Sequence, residues 1–185
     1  MAGVIPPIRP EAEGHSPDRS PYESDIKSLI LRFATSKKRI NILKSFLDFR
    51  RYFYDLNVTR GFQWVDGSFC QDVEAIEGRD PGDIDVVTFF YVPEEPLTPE
   101  IIEGIQNLID SEYTKPRFNV DAYGMQLGTE FSPATVKLLS YWYSMWSHRK
   151  SDNMWKGFVQ VPLSPDEDYE AKTILNDIET KEEIV

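Results

Sequence analysis

The chain has 185 residues, of which 41% are hydrophobic, enough for one domain with a substantial core. Its 31 acidic and 20 basic residues leave a formal charge of −11, which argues against broad, non-specific binding to nucleic acid. No apolar run approaches the ~20 residues of a membrane span. The single cysteine, Cys70, excludes an internal disulfide, and His15 and His148 are too few and too far apart for a typical zinc site.

Residues 1–21 carry Pro6, Pro7, Pro10, Pro17 and Pro21, which fix φ and remove donors, so an extended N-terminal arm is predicted ahead of a single domain over 22–185. Val4, Ile5 and Ile8 imply that the arm packs on that domain. No basic segment followed by an apolar run opens the chain, so no secretory signal is expected and a cytoplasmic location is. Ser24 to Ala34 reads as a short helix, and Thr35-Ser36 can cap a second one to about Leu56. In the second helix Ile40, Leu43, Leu47 and Tyr54 form an apolar stripe, widened by Ile42, Phe46, Phe49 and Phe53. The same helix holds Lys37, Lys38, Arg39, Lys44, Arg50 and Arg51 against Asp48 and Asp55. This basic face either guides a triphosphate or RNA, or is a solvated face that pairs with the acidic tail. The second reading is favoured. That tail, Ser164 to Val185, carries Asp166, Glu167, Asp168, Glu170, Asp177, Glu179, Glu182 and Glu183.

Phe62 to Val65 is a predicted strand that ends in Asp66-Gly67-Ser68. Asp83 to Val92 is the next, a nearly continuous apolar run typical of a buried strand. Thr98-Pro99-Glu100 starts a helix to about Asp110. Arg117 to Tyr123 reads as a third strand, with Asp121 facing the same way as Asn119 and Tyr123. Ser132-Pro133 starts a helix with Val136, Leu139, Tyr143 and Trp146 on one side, broadened by Tyr141, Trp142 and Met145. A base could stack on such an aromatic segment, although core or subunit packing is the favoured reading. His148-Arg149-Lys150 suits the helix dipole as a C-terminal cap, or reaches phosphates with His148 as a general base; capping is the default. Ser151 to Asn153 is a turn, Trp155 to Leu163 a fourth strand, and Ser164-Pro165 starts a last helix whose apolar face is Ala171, Ile174, Leu175 and Ile178. The fold class is therefore α/β (α+β), a short mixed sheet with helices packed on it.

Chemistry concentrates between Trp64 and Val87. Residues two apart on a strand share a face, so Asp83 and Asp85 present two carboxylates together while Ile84 turns inward. Like charges that close are costly unless a cation lies between them. Hard oxygen ligands at this spacing suit Mg²⁺, which binds through one or two carboxylates and substrate phosphates. The Gly67-Ser68 turn can offer backbone N–H groups and a hydroxyl to those phosphates. Asp66, directly before it, either joins that shell or holds the turn. Cys70 is a reactive thiol or, by the favoured reading, a small core residue.

Gly-Ser, a loop and then Asp-x-Asp resembles the signature of the nucleotidyltransferase superfamily, the DNA polymerase β-like fold. The loop 69–82 is slightly longer than is common there. Beyond the signature, the VIPPI start, RFATSKKRINIL, GFQWVDGSF, DIDVVTF and HRKSDNMWKGFVQVPL are similar to an uncharacterised family of small bacterial nucleotidyltransferase-like proteins, over nearly the whole chain. The resemblance implies a third carboxylate, Asp121, on an adjacent strand. It also implies that Asp83, Asp85 and Asp121 hold Mg²⁺ (or Mn²⁺), while Gly67 and Ser68 orient the phosphates of an NTP, ATP foremost. The implied activity moves a nucleoside monophosphate to an acceptor hydroxyl, with a protein partner in a toxin–antitoxin or defence setting as the expected acceptor. Long nucleic acid and membrane are not expected partners. The alternative is a non-catalytic binding or regulatory module on the same fold.

Overall fold

The computed structural model describes residues 3–94 and 96–182; Glu183 of the acidic tail and the first two residues of the arm lie outside them. Among the described residues there are seven α-helices and five strands, an α+β arrangement. The strands are β1 (Tyr22–Glu23), β2 (Gly61–Asp66), β3 (Ile84–Phe90), β4 (Val120–Gln126) and β5 (Val159–Pro162). They form one mixed sheet in the order β1-β5-β2-β3-β4, with β2 antiparallel to β3 and β5, and β3 parallel to β4. None of the helices is long and apolar enough to cross a membrane.

The two faces of the sheet are covered unequally. Ile84, Val86, Val120, Ala122, Val65 and Val161 point into the larger core. That core is closed by α1 (Ile26–Phe33), α2 (Lys37–Asp55), α4 (Pro99–Leu108), α5 (Ser111–Phe118) and α7 (Pro165–Glu182). On the other face Trp64, Val87 and Phe89 meet only α6 (Pro133–Trp146), through Trp142 and Trp146, together with Phe158. Strand alternation accounts for this division, since β3 has apolar residues on both sides, as a strand buried on both faces must. The aromatic segment of α6 is thus core on its inner side: Tyr123, Trp142, Trp146 and Phe158 stack on one another. Its outer side leaves Tyr141 and Met145 exposed.

Caps set most helix starts where the sequence places them. Asp25, Ser36, Thr98 and Ser132 accept from the backbone N–H three residues on, in α1, α2, α4 and α6. The third strand is a correction. Arg117 and Phe118 belong to α5, Asn119 is its left-handed C-cap, and the strand starts at Val120. Pro116 inside α5 hides the helix, because proline is a strong breaker signal. Here it falls in the last turn, and the Asp110 side chain holds the first by accepting from Glu112 N–H. A further short helix, α3 (Val73–Glu77), fills part of the loop between Ser68 and Asp83.

The basic face read on α2 does not exist as one surface. Arg39 and Arg50 point into the molecule, where Arg39 pairs with Glu74 and donates to the Phe69 and Gln71 carbonyls. Arg50 is fully buried and forms a bidentate pair with Asp168 of α7 at 2.6 and 2.8 Å, with Gln63 Oε1 and the Pro162 carbonyl as further acceptors. Burial opposes its charge, yet Asp168 outweighs burial and the Arg50 pKa goes up. Lys44 pairs with Glu179 and Lys172 with Asp48, so α2 does meet the acidic tail.

The arm lies against the domain. The Gly3 carbonyl accepts from Asp72 N–H (2.8 Å), Ile5 from Gly157 N–H (2.7 Å) and Pro7 from Ser20 N–H (3.0 Å).

Removing one partner of a buried ion pair strands the other charge. Asp168→Ala should therefore cost about 3–5 kcal/mol in urea unfolding. Lys172→Ala, at a half-exposed pair, should cost under about 1 kcal/mol.

Candidate functional site

The register across β2, β3 and β4 aligns Asp66 with Asp85 and Asp85 with Asp121. Directly paired residues share a face, so three carboxylates stand in a row on the α6 side of the sheet. Asp83, two residues before Asp85, adds a fourth. Oxygen atoms of Asp83, Asp85 and Asp121 lie within 4.8 Å of one another. All three residues predicted from the sequence thus meet at one corner.

Gly67 and Ser68 adjoin them. Gly67 follows β2 with φ +86°, and a Cβ placed there would sit 2.1 Å from Asp85 Oδ2. Only glycine permits both the conformation and the approach. Ser68 then opens a single 3₁₀ turn to Cys70. Cys70 is buried among core residues, and burial pushes its thiol well up, so it is inert packing rather than a nucleophile.

Each carboxylate is treated differently. Asp66 is buried, and Lys156, equally buried, donates to both its oxygens and to the Trp146 carbonyl (2.9 Å). Burial still pushes Asp66 up, to about 6, against the opposing pull of Lys156. Asp121 accepts from Ser111 Oγ and, at 3.3 Å, from Lys115 Nζ. Lys115 Nζ also lies 2.7 Å from Asp83 Oδ2, and this bond, more than any other cause, raises the Lys115 pKa. Asp85 has no ion pair among the described residues. Burial first, then Asp83, Asp121 and Asp66, push it up to about 7.

These groups line a cleft of about 440 Å³, within the usual range for small-molecule sites. Arg79, His148, Arg149, Lys150, Lys115 and Lys156 line it together with the acids. His148 is exposed and its Nδ1 lies 3.1 Å from the Ser144 carbonyl. Arg149 pairs with Asp152. Asp66 aligns with the acidic row but is tied to Lys156 and stands outside the cluster of Asp83, Asp85 and Asp121. The sequence reading missed Lys115, which sits on the hidden helix, and Lys156. A lysine inside the apolar stretch Trp155 to Val161 was the available signal for the second, since a buried lysine requires a partner.

A family model described as "Family of unknown function (DUF6932)" matches residues 2–162, and the chain belongs to that family. Its description assigns no activity and makes no link to the nucleotidyltransferase superfamily. No curated protein and no solved structure matches the chain.

The raised Asp85 pKa gives a test of the site's charge. A carboxyl with a folded pKa near 7 holds its proton more tightly than the unfolded chain does. Without metal, ionising it therefore removes stability as pH rises from about 4 to 7, and the loss persists above. Asp85→Asn should accordingly stabilise the chelator-treated protein by on the order of 1–3 kcal/mol at pH 8. The gain should shrink towards zero near pH 4.5, as read by chemical denaturation at the two pH values.

Proposed function

We propose that this member of the DUF6932 family is a metal-dependent nucleotidyltransferase that moves a nucleoside monophosphate from an NTP to an acceptor hydroxyl. The observation that carries this reading is the convergence of Asp83, Asp85 and Asp121 within 4.8 Å beside the Gly67-Ser68 turn. The donor set is three carboxylates, the hard-oxygen chemistry that suits Mg²⁺ or Mn²⁺. Asp85 fits such an ion best, because it alone of the three has no ion pair among the described residues, while Lys115 already holds Asp83 and Asp121. When bound there, the metal would neutralise triphosphate charge and stabilise the attacking and leaving oxygens.

The chain's own groups divide the remaining work. The Gly67-Ser68 turn would hold the β- and γ-phosphates through backbone N–H groups and the Ser68 hydroxyl. Lys150, which lines the cleft, would offset phosphate charge, and His148 beside it would offer a hydrogen-bonding ring nitrogen. Asp121, held by Ser111, would orient the acceptor hydroxyl and take its proton. The acceptor oxygen then bonds to the α-phosphorus, the bond from that phosphorus to the bridging oxygen breaks, and pyrophosphate leaves. Tyr141 and Met145, exposed on α6, offer apolar contacts to an acceptor. We take that acceptor to be a protein partner in a toxin–antitoxin or defence setting, with ATP as donor and the cytoplasm as location. The net acidity of the chain favours such a partner over long nucleic acid.

One observation favours a second reading, a non-catalytic binding module. Lys115 already spans Asp83 and Asp121, which would leave less need for a metal.

Label transfer separates the two. Protein is mixed with each α-³²P-labelled NTP, Mg²⁺ or Mn²⁺ and bacterial lysate, beside Asp83→Asn/Asp85→Asn. The catalytic reading expects label on an acceptor with the native chain and background with the variant. No native-specific label with any of the four nucleotides would favour the binding module.

A further inference from the structure

The cleft contains a cation that the chain itself supplies. Lys115 projects from α5, and its ammonium bridges two carboxylates from different parts of the sheet: Asp83, just ahead of β3, and Asp121 within β4. Its placement is imposed by the helix. Thr114 Oγ donates to the Val120 carbonyl (2.9 Å), Phe118 packs into the larger core, and Ser111 of the first turn donates to the other Asp121 oxygen. One short helix therefore addresses both oxygens of Asp121 and one of Asp83. Asp85, between them, receives nothing from it.

An ammonium and a divalent cation draw on the same oxygens, the Lys115 ammonium from 2.7 and 3.3 Å and Mg²⁺ from about 2.1 Å. At a separation of a few ångströms they repel by an amount that matters even in water. We infer that Lys115 is a resident counter-ion that competes with the divalent cation for Asp83 and Asp121 and so sets how tightly the site takes metal. The geometry allows exchange: the Lys115 side chain is 51% exposed, against 22% for Asp83 and 20% for Asp121. A long flexible stem half in solvent can swing away without disturbing the core. The carboxylates, fixed on strands, stay in place. In the cation-free protein the same ammonium offsets repulsion among the acids, so the site keeps its shape before metal arrives. This inference rests on the metal-binding part of the reading above.

The test is Mn²⁺ binding without nucleotide, followed through the electron paramagnetic resonance signal of free Mn²⁺. The native chain is compared with Lys115→Met, which keeps the stem and the helix propensity, and Lys115→Arg, which keeps the charge. Asp83→Asn/Asp121→Asn serves as the blank. Lys115→Met should bind Mn²⁺ roughly tenfold or more tightly, and Lys115→Arg should stay near native. In chelator, Lys115→Met should melt below the native chain, with Mn²⁺ closing the gap. Native binding with equal or weaker binding by Lys115→Met would overturn the competition and leave the metal site standing. If neither the native chain nor Lys115→Met depletes free Mn²⁺, the metal site fails, and the competition fails with it.

Discussion

Four carboxylates at one corner of a sheet impose the main constraint on this structure. The pairing of β2, β3 and β4 places Asp66, Asp85 and Asp121 abreast, and the two-residue period of the strand adds Asp83. Bringing so many like charges together costs free energy unless each finds a partner. Two lysines from outside the sheet supply most of that compensation. Lys156 is buried against Asp66, and Lys115 spans Asp83 and Asp121. Asp85 is left without an ion pair among the described residues, and burial first, then the neighbouring acids, raise its pKa. Unpaired charge of this kind is found where a ligand or reaction uses it.

Much of the surrounding architecture serves that corner. Gly67 has no side chain because Asp85 occupies the space where one would go. Arg39 ties the segment after Ser68 to α2 through the Phe69 and Gln71 carbonyls. The arm bonds next to two cleft-lining residues, Gly3 to Asp72 beside Gln71 and Ile5 to Gly157 beside Lys156. On the opposite face five helices close the larger core, and Arg50 links α2, β2, β5 and α7 in one buried polar cluster. The thinly covered face, with α6 alone, is where the cleft opens. A sheet so covered is rigid behind the carboxylates and accessible in front of them.

Charge also organises the functional question. Arg79 and Lys150 line the same cleft as the acids. A ligand carrying both a metal and several phosphates would satisfy both sets of charges, whereas a simple anion or cation would satisfy one. Catalysis and partner binding on this fold differ chiefly in whether Lys115 yields its place. The family match spans the arm, the carboxylates and Lys156, so it covers every group in this comparison, while α7 lies beyond it.

Local chemistry was readable from the residues alone. Capping side chains marked the starts of α2, α4 and α6, and apolar runs marked β2 and β3, because these signals act within a few residues. Asp83 and Asp85 were legible as a pair beside Gly67-Ser68, since strand periodicity puts residues two apart on one face, whereas Asp121 was joined to them through the family resemblance and not by any local period. The helix α5 was not, because Pro116 masks it and its anchors, Val120 and the larger core, come from other elements. Arg39 and Arg50 read as exposed charges by composition. Their partners Glu74 and Asp168 are far along the chain, and only folding brings them near enough to outweigh desolvation. Lys156 and Lys115 belong to the same class. The sequence by itself determined that Asp83 and Asp85 would share a face, through alternation; tertiary structure decided that Asp66 and Asp121 would stand beside them and which cations would reach them, because strand pairing and long-range contacts have no local period to read.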